Sequence, residues 1–502
     1  MRIPFKNDPL DFKQRSLFPS YIFDLLPDNH DCFVYDDIFG QIDISSIEKQ
    51  YSYLGQNAYD PRLIGGILIY AYSKGVFSSR QIENRCHEDL SFMYISHINC
   101  PNFRVLSDFR KDNPDFLKEC FIQSALLAKE LGMVSFGHVS LDGSKFKANS
   151  SKHKAMSYEY LKLREEELVN QIKELMAQAD QCDQGEDEQL QDKIGSEIPD
   201  ELKIKKDRLA KILAAKEALE KREEELNPGK QIDGKKQISF ADEDARIMGK
   251  KGNYDYAYNA QISVDEKSQI IVGQHLSLNA NDKKEVGPAL EQIQETMGEL
   301  PEKMSMDNGY LSGANLEKLN EAGVNAYVAT GREDKKDIRP VQDCNREIKK
   351  SDFEYDSESD CFTCPGGQTL ELKRKGEDGK CVYQAQREAC EQCSYRGRCC
   401  KSEKGKPRTI NTDDKEPLRQ QMNEKMDQDS SKEVYKKRKV IVEPVFGQIK
   451  NSGFRGFLLR GYRKASGEFS LACTVHNLKK IVGALLRGEV RLEGGKMGPA
   501  MA

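Results

Sequence analysis

Apolar and polar positions alternate in two short stretches, Val139-Ser140-Leu141 and Met304-Ser305-Met306, and each stretch runs straight into an aspartate, Asp142 and Asp307. Alternation of period two predicts half-buried strands, with each carboxylate at a strand end. Strand patterns dominate from residue 254 onward. Residues 258–265 and 269–276 predict a hairpin that turns at 265–268. A helix over about 282–297, the strand before Asp307, a helix over 312–322 and a strand over 325–330 follow. Residues 1–135 read instead as mostly helical, with an apolar segment over 61–70. The next helix opens at Ser78 or Ser79, with Glu83 near the capping-box position, and the segment 102–111 follows the same logic.

A different period marks residues 157–227. Leu161, Leu168 and Leu175 are spaced by seven, with Ile172 between them, and Leu202 and Leu209, then Ile212, Leu219 and Leu226, repeat that spacing. Heptad spacing on both sides of a turn-rich stretch predicts an antiparallel helical hairpin, inserted after the first strand, whose apolar seam is structural.

With 502 residues the chain exceeds one ordinary core and is expected to form two to four units. Five are drawn: an N-terminal helical domain (1–135) that fits a helix-turn-helix-like DNA-end reader or a plain helical packing domain, a discontinuous α/β core (136–330 and 434–490), the inserted hairpin (157–227), a cysteine-rich insertion (331–433) and a flexible tail (491–502). No apolar run reaches the 18 or so residues of a membrane span, and the opening Met1-Arg2-Ile3-Pro4-Phe5-Lys6 lacks a signal-peptide apolar region. The expectation is a cytoplasmic, nucleoid-associated protein.

The net charge of −5 conceals an asymmetry. Residues 431–490 carry thirteen Lys/Arg against four Glu, a net of +9, whereas residues 157–200 carry four against thirteen Asp/Glu, a net of −9. The basic stretch suits a phosphate backbone and the acidic one does not, although either alone also fits a solvated face. Of fourteen cysteines, seven fall between Cys361 and Cys400. Without an export signal, metal ligation is the better reading than disulfides. Cys390-x2-Cys393-x5-Cys399 has the spacing of a tetrahedral Zn²⁺ site, with Cys364 as fourth ligand. Cys361 offers an alternative C-x2-C pair, Cys400 can replace Cys399, and a set of reduced, partly buried thiols is the bland alternative.

The third acidic residue of interest, Glu443, lies inside the basic stretch, which reads Tyr435-x2-Arg438-x4-Glu443-x6-Lys450. This pattern resembles the Y-R-E-K signature of bacterial insertion-sequence DDE transposases, with four residues rather than three between Arg and Glu, so that Arg438 or Lys439 fills the Arg position. The Asp142 context (LDGSKFKANSSK), the Asp307 context (DNGYLS) and the string at Ala472 to Lys480 are similar to that family too. Pro444 predicts a helix start or kink at Glu443.

The resemblance implies an RNase H-like core and Cys364 as the place where the family puts a zinc ligand. It implies that Asp142, Asp307 and Glu443 hold Mg²⁺ (or Mn²⁺) ions about 4 Å apart for phosphodiester cleavage and strand transfer. It also implies that Tyr435, Arg438, Lys450, Lys436, Lys437 and Lys439 touch DNA. The implied partners are the element's terminal inverted repeats and target DNA, bound by a homodimer. A DNA-binding protein derived from such an element, or a nuclease without strand transfer, are the alternatives. His476 and Asn477, in VHNLKK, read as packing residues rather than catalytic ones, and no phosphate-binding loop of the Walker type occurs.

Overall fold

The computed structural model describes residues 22–51, 58–151, 155–184, 197–250, 252–330, 346–376, 379–400, 405–493 and 496–499. Expectations for the first six residues, for the hairpin turn at 185–196 and for the first part of the 331–433 insertion lie outside the described residues.

Six strands form the central sheet: β1 (His138–Lys147), β2 (Arg246–Lys250), β3 (Asn253–Asp265), β4 (Ile271–Ser277), β5 (Lys303–Met306) and β6 (Asn325–Val328). β3 runs antiparallel to β1, with Asp142 opposite Ile262. β2 and β4 pair antiparallel with successive parts of β3. On the other side β5 runs parallel to β1, and β6 parallel to β5. The predicted hairpin and the helices Val286–Met297 and Gly313–Glu321 stand where the pattern put them.

One expectation is corrected. Residues 138–141 are buried on both faces rather than half-buried, and Ser140 and Ser305 are fully enclosed. A central parallel pair is covered by helices on both sides, so its alternating polar residues must be small and mutually hydrogen-bonded. The Ser140 and Ser305 hydroxyls meet at 2.7 Å, and His138 Nε2 reaches Ser305 Oγ at 2.9 Å.

The helix Tyr462–Leu486 closes one face of the sheet. Gln274 donates to Ser470 Oγ, and the Asn477 amide accepts from Ile271 N–H and donates to Ile271 C=O, satisfying both backbone groups of the first β4 residue. Gly467 lets this helix touch the start of helix Pro114–Glu130: a Cβ there would stand 2.6 Å from Pro114 Cα and Cβ. His476, buried, pairs with the Gln269 carbonyl at 2.8 Å. Burial pushes its pKa down to about 4, so it is a neutral packing histidine.

The N-terminal helices share this core. A single apolar cluster runs from Cys32 to Val490 and includes the buried helix Pro61–Ser73 and the sheet. Three polar residues cross it: Arg110 Nη1 donates to Tyr72 Oη at 2.6 Å, and Tyr72 Oη donates to Glu468 Oε1 at 2.8 Å. Glu468 Oε2 also accepts from the backbone N–H of Leu458 and Leu459. Helix Phe103–Asp112 is capped by Asn102, as predicted, but helix Ser79–Glu88 has no side-chain cap at Ser78, so the capping box is not made.

Between β1 and β2 stand the helices Tyr158–Gln184 and Glu197–Leu226, joined by Leu161, Leu168, Ile212, Ala215 and Leu219. A two-stranded clasp, Ala155–Ser157 with Gln237–Ser239, holds their base. Residues 346–413 contain a separate five-stranded antiparallel sheet with its own core around Phe353, Phe362, Leu370, Tyr383 and Ile410. Within the expected flexible tail, Val490–Glu493 pairs with Lys496–Pro499 as a small hairpin. No helix among the described residues is long and apolar enough to cross a membrane.

Candidate active site

Leu141 of β1 pairs with Met306 of β5, so Asp142 and Asp307 follow side by side, about 4.8 Å apart by the ordinary spacing of paired strands. Asp307 caps the short turn that follows, accepting from Gly309 N–H at 2.8 Å. Glu443 arrives from far along the chain. The helix Arg438–Ile441 stops at Val442, and a new one, Glu443–Asn451, starts with Pro444 in its first turn. This break absorbs the additional residue between Arg438 and Glu443: Arg438 turns inward and Lys439 outward into solvent.

One guanidinium then spans two of the three carboxylates. Arg438 Nη2 lies 2.9 Å from Asp142 Oδ1, and Nη1 donates to Glu443 Oε1 at 3.1 Å. Burial raises the Asp142 carboxyl to about 6, against the lowering pull of Arg438 and of the Gly143 N–H, and Asp307 and Glu443 push it the same way as burial. Burial opposes the charge of Arg438, but Asp142, Tyr435, Asp307 and Glu443 more than offset it and raise its pKa.

Lys450, nearly two turns beyond Glu443, donates to Ser144 Oγ at 2.6 Å and lies 4.9 Å from the centre of the Phe146 ring. Its burial depresses the ammonium pKa, with Asp142 acting against that. Tyr435 is half-buried beside Arg438, and burial raises its pKa. Lys436 and Lys437 are exposed and pair with Glu433 and Glu266.

A fourth carboxylate, Asp282, stands beside Asp307 without any signal in the local sequence. Asp282 accepts from Asn259 Nδ2 and Gln261 Nε2, both at 2.7 Å, and lies 3.6 Å from Lys145 Nζ. A Cβ on Gly309 would meet both Asp307 Oδ1 at 2.9 Å and Asp282 Oδ2 at 3.3 Å, so only glycine lets these two carboxylates approach the turn. Tyr310 Oη donates to Gln261 Oε1 and closes the network from below. Tertiary folding brings β3, the loop before helix Val286–Met297 and the turn after Asp307 together here, and an isolated Asp in a polar string carries no local signal of it.

Five cysteines, Cys364, Cys390, Cys393, Cys399 and Cys400, line one gap of about 20 Å³ in the smaller sheet region. Gln368 N–H donates to Cys364 Sγ at 3.3 Å. Burial first, then Cys400 beside it, pushes the Cys399 thiol up to about 12. Among the described residues no group of three or more His, Cys, Asp or Glu is disposed to hold a metal ion. The Zn²⁺ set Cys364, Cys390, Cys393 and Cys399 is therefore not supported, and the trio Asp142, Asp307 and Glu443 is not among such groups either; Cys399 packs into the core of the smaller sheet.

The fold and site define an α/β protein with acidic strand ends facing a basic helix. Residues 20–112 match the family described as transposase domain (DUF772), and residues 363–482 match the transposase DDE domain. Both matches are to transposase families, and together they support an insertion-sequence DDE transposase. The second match takes in Arg438, Glu443 and Lys450, whereas Asp142 and Asp307 fall outside both. The family implies a divalent metal such as Mg²⁺. No curated protein matches the chain.

Proposed function

We propose that the chain binds the terminal inverted repeats of its own mobile element, hydrolyses a phosphodiester at each end and joins the freed 3′-hydroxyl to target DNA. The observation that carries the reading is the convergence of Asp142 and Glu443 on one guanidinium, with Asp307 on the adjoining strand end. In this reading the sheet is an RNase H-like core. Its order, β4-β3-β1-β5-β6 with the last two strands parallel to β1, supports that.

Asp142, Asp307 and Glu443 supply hard carboxylate oxygens, the donors Mg²⁺ or Mn²⁺ takes. When bound, such ions activate the attacking oxygen and stabilise the leaving one. Lys450, fixed by Ser144 and Phe146, aims its ammonium at the scissile phosphate, where negative charge grows in the transition state. Tyr435 and Arg438 hold the adjoining backbone, and Lys436, Lys437 and Lys439 add diffuse phosphate attraction. The helices before residue 135 serve DNA-end binding and assembly, the segment 331–433 is an insertion, and two copies act together on DNA.

A cleavage assay on duplex DNA from the flanking element ends, with Mg²⁺ and a supercoiled target, tests the reading. Joined products are expected. Cutting without joining defines a nuclease, and binding without cutting overturns the catalytic assignment.

A further inference from the structure

We propose that Arg438 is a latch on the carboxylate site, released by the DNA phosphate it then holds. This rests on the reading of Asp142, Asp307 and Glu443 as metal ligands. The Arg438 side chain is only 9 % exposed, and its guanidinium lies on Asp142 Oδ1 and Glu443 Oε1 at 2.9 and 3.1 Å. Those are oxygens a divalent ion needs, and two cations cannot share them at contact distance without strong repulsion. Two of the three carboxylates are accordingly arranged around an organic cation.

The guanidinium also keeps a donor in reserve. Arg438 Nε is buried and has no hydrogen-bond partner. A buried donor left unmade is costly, so a further acceptor arriving at the site is favoured. A phosphodiester is such an acceptor, planar in its pairing with guanidinium and able to take two N–H groups at once. A DNA strand entering past Lys450 and Tyr435 therefore draws Arg438 off the two carboxylates, whose oxygens become free for the ion. DNA and metal then reinforce one another by the same factor, because coupling between two bound ligands is reciprocal. The site assembles only where a phosphate is present to be cut.

Mn²⁺ serves as the probe, its affinity for the full chain measured by calorimetry and by the spin-resonance signal of free ion. Arg438→Met keeps the aliphatic volume and removes the charge. Arg438→Gln is the second variant, should Met disturb folding as judged by circular dichroism. Without DNA, Arg438→Met is expected to bind Mn²⁺ about tenfold more tightly than the unaltered chain. Duplex DNA from the element ends is expected to tighten Mn²⁺ binding by the unaltered chain by a similar factor, and by the variant hardly at all. Equal Mn²⁺ affinity in variant and unaltered chain, with Asp142→Asn abolishing binding in both, overturns the latch and leaves the carboxylate reading standing. Mn²⁺ binding that Asp142→Asn does not alter in either overturns the carboxylate reading itself.

Discussion

Leu141 and Met306 lie opposite one another in a parallel strand pair, and this one register delivers Asp142 and Asp307 to the same edge of the sheet although 165 positions separate them. Asp142→Asn, Asp307→Asn and Glu443→Gln are each expected to lower cleavage by at least about a thousandfold while leaving binding to DNA ends within about threefold, because phosphate contacts come mainly from basic side chains. Gel-shift and cleavage assays on the same preparations check this. Parallel loss of binding contradicts the assignment.

Lys450→Ala is expected to slow cleavage more than it weakens binding, since its ammonium is already fixed on Ser144 and Phe146. Lys436→Ala with Lys437→Ala acts differently. Their exposed pairs with Glu433 and Glu266 contribute little, so both are free to turn to phosphate. Affinity measured over a range of salt should lose about 0.9 in log-log slope per contact. An unchanged slope and normal cleavage by Lys450→Ala leave this stretch an ordinary solvated helix.

Glu468→Gln leaves Arg110 charged in the core without its anion. Breaking such a pair costs about 3–5 kcal/mol, whereas Tyr72→Phe removes two hydrogen bonds but leaves Arg110 and Glu468 as an ion pair 3.8 Å apart, and costs about 1–2 kcal/mol. Denaturant titrations should rank the two in that order, and the reverse order would contradict the connectivity Arg110–Tyr72–Glu468.

Gly467→Ala sets two effects against each other. Alanine in a helix gains about 1 kcal/mol over glycine, but here its Cβ would meet the backbone of Pro114 at 2.6 Å. Overpacking against backbone costs about 1–3 kcal/mol, so a net loss of thermal stability is expected. A gain would mean that the two helices can part at no cost.

Acid titration separates two buried groups of opposite sign. Asp142 is raised to about 6 by burial, so between its unfolded value and 6 the folded state holds the extra proton and stability falls as pH rises. His476 is depressed to about 4, so its contribution is present above about 6.5 and is lost as pH falls toward 4. With chelator present, the two slopes oppose each other in the unaltered chain. Asp142→Asn should steepen the acid loss and raise stability at pH 7. His476→Gln should leave stability declining from pH 4 to 6. Identical profiles for all three proteins would refute both assignments.

The strand patterns around Asp142 and Asp307 were legible because alternation survives in a single sequence, and Pro444 announced the helix that starts at Glu443. Burial of residues 138–141 on both faces was not legible. Ser140 and Ser305 look solvent-facing until the register shows that their hydroxyls satisfy each other. Asp282 escaped for the same reason, since Asn259 and Gln261 come to it from β3 and Gly309 from the turn after β5. The cysteine spacing pointed to zinc, and the structure gathers Cys364, Cys390, Cys393, Cys399 and Cys400 round one gap without disposing three of them to hold an ion.

The contact between Tyr72 and Glu468 has a consequence for how the chain is made. During synthesis the N-terminal helices emerge hundreds of residues before the helix that completes their core. Until residue 486 has left the ribosome, Tyr72 and Arg110 have no anion to meet and the apolar faces of helix Pro61–Ser73 and the sheet stand partly open. Truncated products of interrupted translation are therefore expected to enter degradation rather than persist as DNA-binding fragments that could compete with the finished protein.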